Sequence, residues 1–116
     1  MKDIQIWHNP RCSKSRASFA LLQDRDIDAE VVNYLDTPHS EDEIKALLVM
    51  LGIKPRELMR TKEDIYKKLN LKDENSDEAL IKAMSENPKL IERPIVIKGD
   101  KAVIGRPIEN VIELLG

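Results

Sequence analysis

Aromatic side chains are scarce in this chain: one tryptophan, one phenylalanine and two tyrosines among 116 residues. A core must therefore be assembled from Leu, Ile, Val, Ala and Met. Cysteine occurs once, at Cys12. That excludes an internal disulfide and a cysteine-rich zinc site. It also excludes an intramolecular redox pair, because the position three residues on is Ser15. Any redox cycle at Cys12 needs a thiol from another molecule. The four glycines form no phosphate-cradling loop, and His8 and His39 fall in different elements, so no metal site is expected. No apolar run approaches the length of a membrane span, and the first residues lack a signal-peptide pattern. A cytoplasmic location is the simplest expectation. A net charge of −2 supplies no global basic field for nucleic acid. No long apolar stripe demands a dimer, so a monomer is expected.

What the chain does contain is concentrated between Ile4 and Arg16. Ile4-Gln5-Ile6-Trp7 alternates as a short strand does. His8-Asn9-Pro10 breaks it, since Pro10 has no N–H for a ladder and biases Asn9 away from helix. A helix follows, with Ala17, Ala20 and Leu21 expected to share its inner face. Cys12 stands at the corner, where the first N–H groups of the helix point into the loop. An anion there gains from those donors and from the helix dipole, so such a corner favours an ionised, reactive cysteine. A lone cysteine is more often an inert core residue, but Arg11, Ser13 and Lys14 are poor neighbours for a core position. His8 either promotes ionisation of Cys12 if protonated, or orients the loop if neutral. Ser15 either donates to the sulfur or serves only helix initiation.

Beyond the first helix, Glu30–Leu35 reads as a second strand, and Asp36–His39 as a turn. Strand, helix, strand over this span implies a right-handed unit with parallel strands. Ser40 and Glu43 form a capping box before the stripe Ile44, Leu47, Leu48 and Leu51. Gly52 is placed to end that helix and Pro55 to begin another. Thr61 and Asp64 suggest a second box, and Ser76 a cap for a helix that Asn87-Pro88 ends. This helical insertion runs from about 40 to 88, with Lys72–Asn75 as a solvated loop. Pro94–Lys98 is a strand, Gly99-Asp100 a hairpin turn and Ala102–Ile104 the returning strand. Ile108, Val111, Ile112 and Leu115 stripe a last helix.

The segment His8-Asn9-Pro10-Arg11-Cys12-Ser13-Lys14-Ser15-Arg16 closely resembles the active-site segment of the glutaredoxin-linked arsenate reductases. The likeness returns at Tyr34-Leu35, Leu58-Met59-Arg60, Arg93-Pro94-Ile95-Val96 and Gly105-Arg106-Pro107, so it spans nearly the whole chain. The length is closer to the shorter members of that family. The resemblance implies an α/β, thioredoxin-like fold: a mixed four-stranded sheet with the helical insertion between its two parts, as a single domain over 1–116.

The resemblance also implies a chemistry. Cys12 would attack arsenate and form a thiol–arsenic intermediate. Glutathione as co-substrate and glutaredoxin as partner would then complete reduction to arsenite, with no bound cofactor. Arg60, Arg93 and Arg106 fall where the family keeps its oxyanion-binding arginines. On residue pattern alone each could equally be a solvated surface residue. Asn9 would shape the loop. Pro94 opens a strand at the position where thioredoxin-like folds carry a cis proline, so the Arg93–Pro94 bond is expected to be cis and to turn Arg93 toward Cys12. Two alternatives stay open. One is a monothiol oxidoreductase acting on another substrate. The other is a non-enzymatic regulator like the Spx proteins, many of which carry a second cysteine where Ser15 stands here.

Overall fold

The alternation in the first segment becomes strand β1, Ile4–Trp7. Ile4 and Ile6 lie on one face and are buried, and Trp7, also buried, points to the other. The computed structural model describes residues 4–36 and 39–116. Its elements after β1 are helix α1 (Ser13–Asp24), strand β2 (Glu30–Val32), helices α2 (Glu41–Leu51), α3 (Pro55–Leu58), α4 (Asp64–Lys68) and α5 (Asp77–Glu86), strands β3 (Ile95–Lys98) and β4 (Lys101–Ile104), and helix α6 (Glu109–Leu115). Single 3₁₀ turns at Leu71–Asp73 and Pro88–Leu90 flank α5.

The residues cluster into two compact units. The first comprises Met1–Tyr34 with Arg93–Gly116, the second Leu35–Glu92.

The first unit holds a four-stranded sheet in the order β2-β1-β3-β4. β2 lies parallel to β1; β3 is antiparallel to both β1 and β4. This mixed order, βαβ followed by ββα, is the thioredoxin-like arrangement. In register, Ile6 faces Val96 across the central pair. With Ile4, Leu22 of α1 and Val111 of α6 they form the buried core, against which Phe19, Leu21, Ile27, Val103 and Leu114 pack. Burying each such aliphatic side chain contributes about 1.5–3 kcal/mol. Gly99 takes a left-handed φ of 62° and closes the β3–β4 hairpin.

Three expectations need correction in this unit. The second strand stops at Val32 rather than Leu35. β1 ends at Trp7, the His8 N–H makes the last bond to the Val32 carbonyl at 3.0 Å, and Asn9-Pro10 offers no further ladder. Tyr34 instead stacks on Trp7, ring centroids 5.9 Å apart. Second, Ala17 and Ala20 are exposed. The buried face of α1 is Ser15, Ser18 and Leu22, with Leu21 half-buried beside it. The two serines are small enough to let the helix approach its neighbours closely, which a search for apolar residues does not reveal. Third, Ile112 is exposed and leaves the stripe of α6.

In the second unit, Ser40 and Glu43 form the complete capping box of α2, and Gly52 ends it at φ 68°. Pro55 opens α3, and Ser76 caps α5 through the Ala79 N–H. Helices α2 and α3 pack on α5. The box expected at Thr61 and Asp64 is absent: α4 is preceded by Glu63, whose side chain makes no cap bond. Glu63 is drawn instead to Arg60, in a turn whose N–H···O bond joins the same two residues. The Lys72–Asn75 loop is anchored from beneath, as Arg56 donates to the carbonyls of Leu71 and Glu74 and to the Tyr66 hydroxyl. An antiparallel bridge between Met59 and Ile91 joins the two ends of the helical segment. Of the turn expected over Asp36–His39, Thr37 and Pro38 lie outside the described residues.

Candidate active site

The β1–α1 corner is shaped by its own backbone. Asn9 accepts from the Arg11 N–H through its side-chain oxygen at 3.0 Å, and from the Cys12 N–H through its carbonyl at 3.0 Å. Arg16 returns from the first turn of α1 and donates to the Pro10 carbonyl at 3.0 Å. Cys12 becomes the residue that caps α1, with extended φ −99° and ψ 124°, and its side chain makes no cap bond. The N–H groups of Ser13, Lys14 and Ser15 therefore head the helix without intrahelical acceptors, beside the sulfur.

Cys12 is 8% exposed, so it is buried rather than partly exposed as its polar neighbours imply. A cation meets the sulfur there. Arg106 Nη2 donates to Cys12 Sγ at 3.3 Å, and Arg106 Nε donates to the Arg93 carbonyl at 2.7 Å. A guanidinium held at two points next to a sulfur is a charge-assisted donor for a thiolate and for an oxyanion bound beside it.

The Arg93–Pro94 peptide is cis, and so is Arg106–Pro107, which the sequence does not single out. Arg93 is joined to the sulfur through its carbonyl, by way of Arg106.

Ser15 is fully buried, and its hydroxyl bonds to His8 Nδ1 at 2.7 Å and to the Asn9 N–H at 2.9 Å rather than to Cys12. It holds the loop. His8 is buried against Phe19, with ring centroids 5.2 Å apart. Its pKa is lowered, first by burial and then by the positive charge of Arg16. Neutral His8 satisfies the group: Ser15 accepts from Asn9 and donates to Nδ1, leaving the ring proton on Nε2. The geometry thus favours the orienting role for His8.

A pH dependence follows. The unfolded chain takes a proton at His8 near pH 6.5, whereas the folded chain resists it to a lower pH. The unfolded state binds more protons in that window, so stability rises with pH across it. The contribution is complete above about pH 6.5 and is lost as pH falls through the folded value. Thermal melts of the wild type should weaken on acidification from pH 7.5 to 5 more steeply than those of His8→Gln. Parallel curves would remove His8 from the acid response.

Arg60 lies in the second unit. Its Nε is 3.4 Å from a Glu63 carboxylate oxygen and its Nη1 3.6 Å from one of Glu92. Its N–H donates to the Leu90 carbonyl at 2.7 Å. Among the described residues, no group of three or more His, Cys, Asp and Glu side chains could hold a metal ion. No described helix is long and apolar enough to cross a membrane.

Asn110 and Gly105 are the residues that sequence reading misses. Asn110 Nδ2 donates to the carbonyls of Ile104 and Arg106 at 3.0 and 3.3 Å. The available signal was an asparagine four residues after Arg106, at the start of a helix, where such side chains bond back to the preceding backbone.

The chain has close relatives among known proteins. The chain is 55% identical to the uncharacterized protein YfgD of Escherichia coli K12, over 99% of this chain and 98% of that protein. It is 50% identical to an arsenate reductase of Neisseria meningitidis, over 99% of this chain and all of that protein. Among solved structures, the arsenate reductase from Vibrio cholerae superposes with a TM-score of 0.93 at 50% identity, covering 97% of each chain. The model of the ArsC family matches residues 7–114, and the chain belongs to that family.

Proposed function

We propose that this protein reduces arsenate to arsenite, with Cys12 as nucleophile and glutathione and glutaredoxin as the source of electrons. The observation that carries the reading is the Arg106 guanidinium on the Cys12 sulfur at the head of α1. The relatives named arsenate reductases support the substrate.

Cys12 thiolate attacks the pentavalent arsenic, an S–As bond forms, and one arsenate oxygen leaves as water after protonation. Arg106 and the N–H groups heading α1 stabilise the charge on the remaining oxygens, a preorganised role. A glutathione thiolate then attacks the arsenic of the adduct and displaces a second oxygen as water. The glutaredoxin thiol takes the glutathione sulfur, and that S–As bond breaks with its electron pair left on arsenic. Water displaces Cys12 from the trivalent arsenic to release arsenite. In total two external thiols lose two electrons and become a disulfide. Arsenic passes from the pentavalent to the trivalent state, and Cys12 is regenerated. The external thiols are required because Cys12 has no second cysteine to pair with.

Arg60 is proposed as a further oxyanion ligand on the strength of the resemblance. Arg60→Lys loses the planar fork and should cut kcat/KM by about tenfold, the equivalent of about 1.4 kcal/mol. Unchanged efficiency would assign Arg60 to its ion pairs with Glu63 and Glu92.

The reading as a whole is tested by arsenite formation from arsenate with glutathione and glutaredoxin, with each omitted in turn. Dependence on both is expected. Turnover of a glutathione adduct without arsenite release would favour the monothiol oxidoreductase. Capture of RNA polymerase with no turnover of either substrate would favour the regulator.

A further inference from the structure

We infer that Asn110 is a positioning residue for the Cys12 site, acting through Arg106. The inference rests on the reading of Cys12 and Arg106 as an anion-binding pair, and it adds the group that aims the guanidinium.

Arg106 is exposed and sits on a four-residue connection, Gly105-Arg106-Pro107-Ile108, between β4 and α6. A long side chain on an exposed loop ordinarily loses much of its aim to rotamer freedom. Here its backbone is fixed from three directions. Gly105 N–H donates to the Pro94 carbonyl at 2.8 Å, which ties the loop to the start of β3. The Asn110 side chain reaches back from the first turn of α6. Its amide nitrogen spans the loop, bonding the Ile104 carbonyl on one side of Gly105 and the Arg106 carbonyl on the other. The Asn110 N–H donates to the Pro107 carbonyl at 3.0 Å, so the clamp is rooted in the chain it holds. From that backbone the Arg106 side chain extends with Nε on the Arg93 carbonyl and Nη2 on the sulfur. One amide thus holds the Ile104–Gly105 peptide, one residue before the residue that contacts Cys12, and the Arg106–Pro107 peptide directly after it.

A clamp that served folding alone would leave the sulfur's environment unchanged when removed from a folded protein. A positioning clamp would not. The distinguishing readout is the rate at which Cys12 reacts with iodoacetate, an anion, relative to iodoacetamide, its neutral analogue, each referred to free cysteine. An aimed guanidinium raises that ratio, because it draws the carboxylate to the sulfur. Asn110→Leu keeps the side-chain volume and removes both donors, and Asn110→Ala provides a second variant should packing of the leucine disturb α6.

We expect the iodoacetate preference to fall roughly tenfold in Asn110→Leu, as expected when a reacting group is misplaced. It should fall at least as far in Arg106→Ala. In the double variant the Asn110 substitution should add nothing, the mark of two residues acting as one unit. Melting curves identify which variants are folded and hence comparable. A preference unchanged in folded Asn110 variants would overturn the inference. So would losses that multiply in the double variant, or an Arg106→Ala protein that keeps the preference. Arsenate takes no part in this measurement. A protein that fails to form arsenite but shows the coupling loses the proposed function and keeps the clamp.

Discussion

Cys12→Ser is expected to reduce arsenite formation to the level seen without protein while leaving the fold as stable as before, or slightly more so. The two halves of that expectation come from the same position in the chain. Chemically, an alkoxide is not accessible at neutral pH from a serine with no adjacent general base, and Ser15, His8 and Asn9 are bonded to one another. No sulfur means no S–As bond and no route for the external thiols. Structurally, Cys12 occupies the cap of α1 with extended backbone angles and contributes no side-chain cap. Serine is among the preferred residues there, and its oxygen can accept from the Ser15 N–H. The gain is about 1 kcal/mol at most. The corner has a thiol where a good helix cap could stand, at the head of α1. Melting curves and arsenite assays on the same preparation check both halves. A melting temperature several degrees lower would mean that the sulfur itself holds the corner together. Residual turnover would move the chemistry elsewhere.

Gly105→Ala should have the largest effect on stability of any single-methyl change in the first unit. A Cβ at this position would lie 2.7 Å from Ser18 Oγ, 2.8 Å from Pro94 Cγ and 3.2 Å from Val111 Cγ2. These atoms belong to α1, the start of β3 and α6, so the clash cannot be relieved by moving one flexible side chain. Overpacking of this kind costs about 1–3 kcal/mol. Ser18 is fully buried, and its hydroxyl makes no hydrogen bond among the described residues. Ser18→Ala therefore removes one of the three close contacts at little cost and should restore part of the loss in the double variant. Denaturant melts of the two single variants and the double give the coupling directly. Simple additivity would mean that Gly105 is required for a reason other than contact with Ser18. Because Gly105 precedes Arg106, the variant should also weaken the guanidinium's hold on the sulfur.

The sheet was legible because its rules are local. Ile4–Trp7, Pro94–Lys98 and the Gly99 turn carry their own period and punctuation, and Gly52, Ser40 and Ser76 announce helix ends by backbone chemistry. The corner at Cys12 was legible for the same reason: proline before, helix after, basic side chains around. What the sequence hid is where polar residues turn inward. Ser15 and Ser18 face the interior of α1 while Ala17 and Ala20 face solvent, because the packing there rewards closeness rather than apolar area. The Thr61 box failed because α4 begins only at Asp64, with Glu63 rather than Thr61 at its cap. The burial of Cys12 could not be read from its neighbours, since Arg11, Ser13 and Lys14 are themselves exposed while the cysteine between them is not. Asn110 was missed because its role exists only once the β4–α6 loop is folded, when two carbonyls separated in sequence come within reach of one amide.

The central claim is that an oxyanion of arsenic becomes bonded to Cys12 beside Arg106. The most direct measurement is a crystal of the reduced protein soaked in arsenate without glutathione, with diffraction recorded at the arsenic absorption edge. The account predicts an anomalous peak at covalent distance from Cys12 Sγ, with its oxygens facing Arg106 and the N–H groups that head α1. An arsenic peak bound away from Cys12, or none at the sulfur in a preparation that forms arsenite in solution, would contradict it.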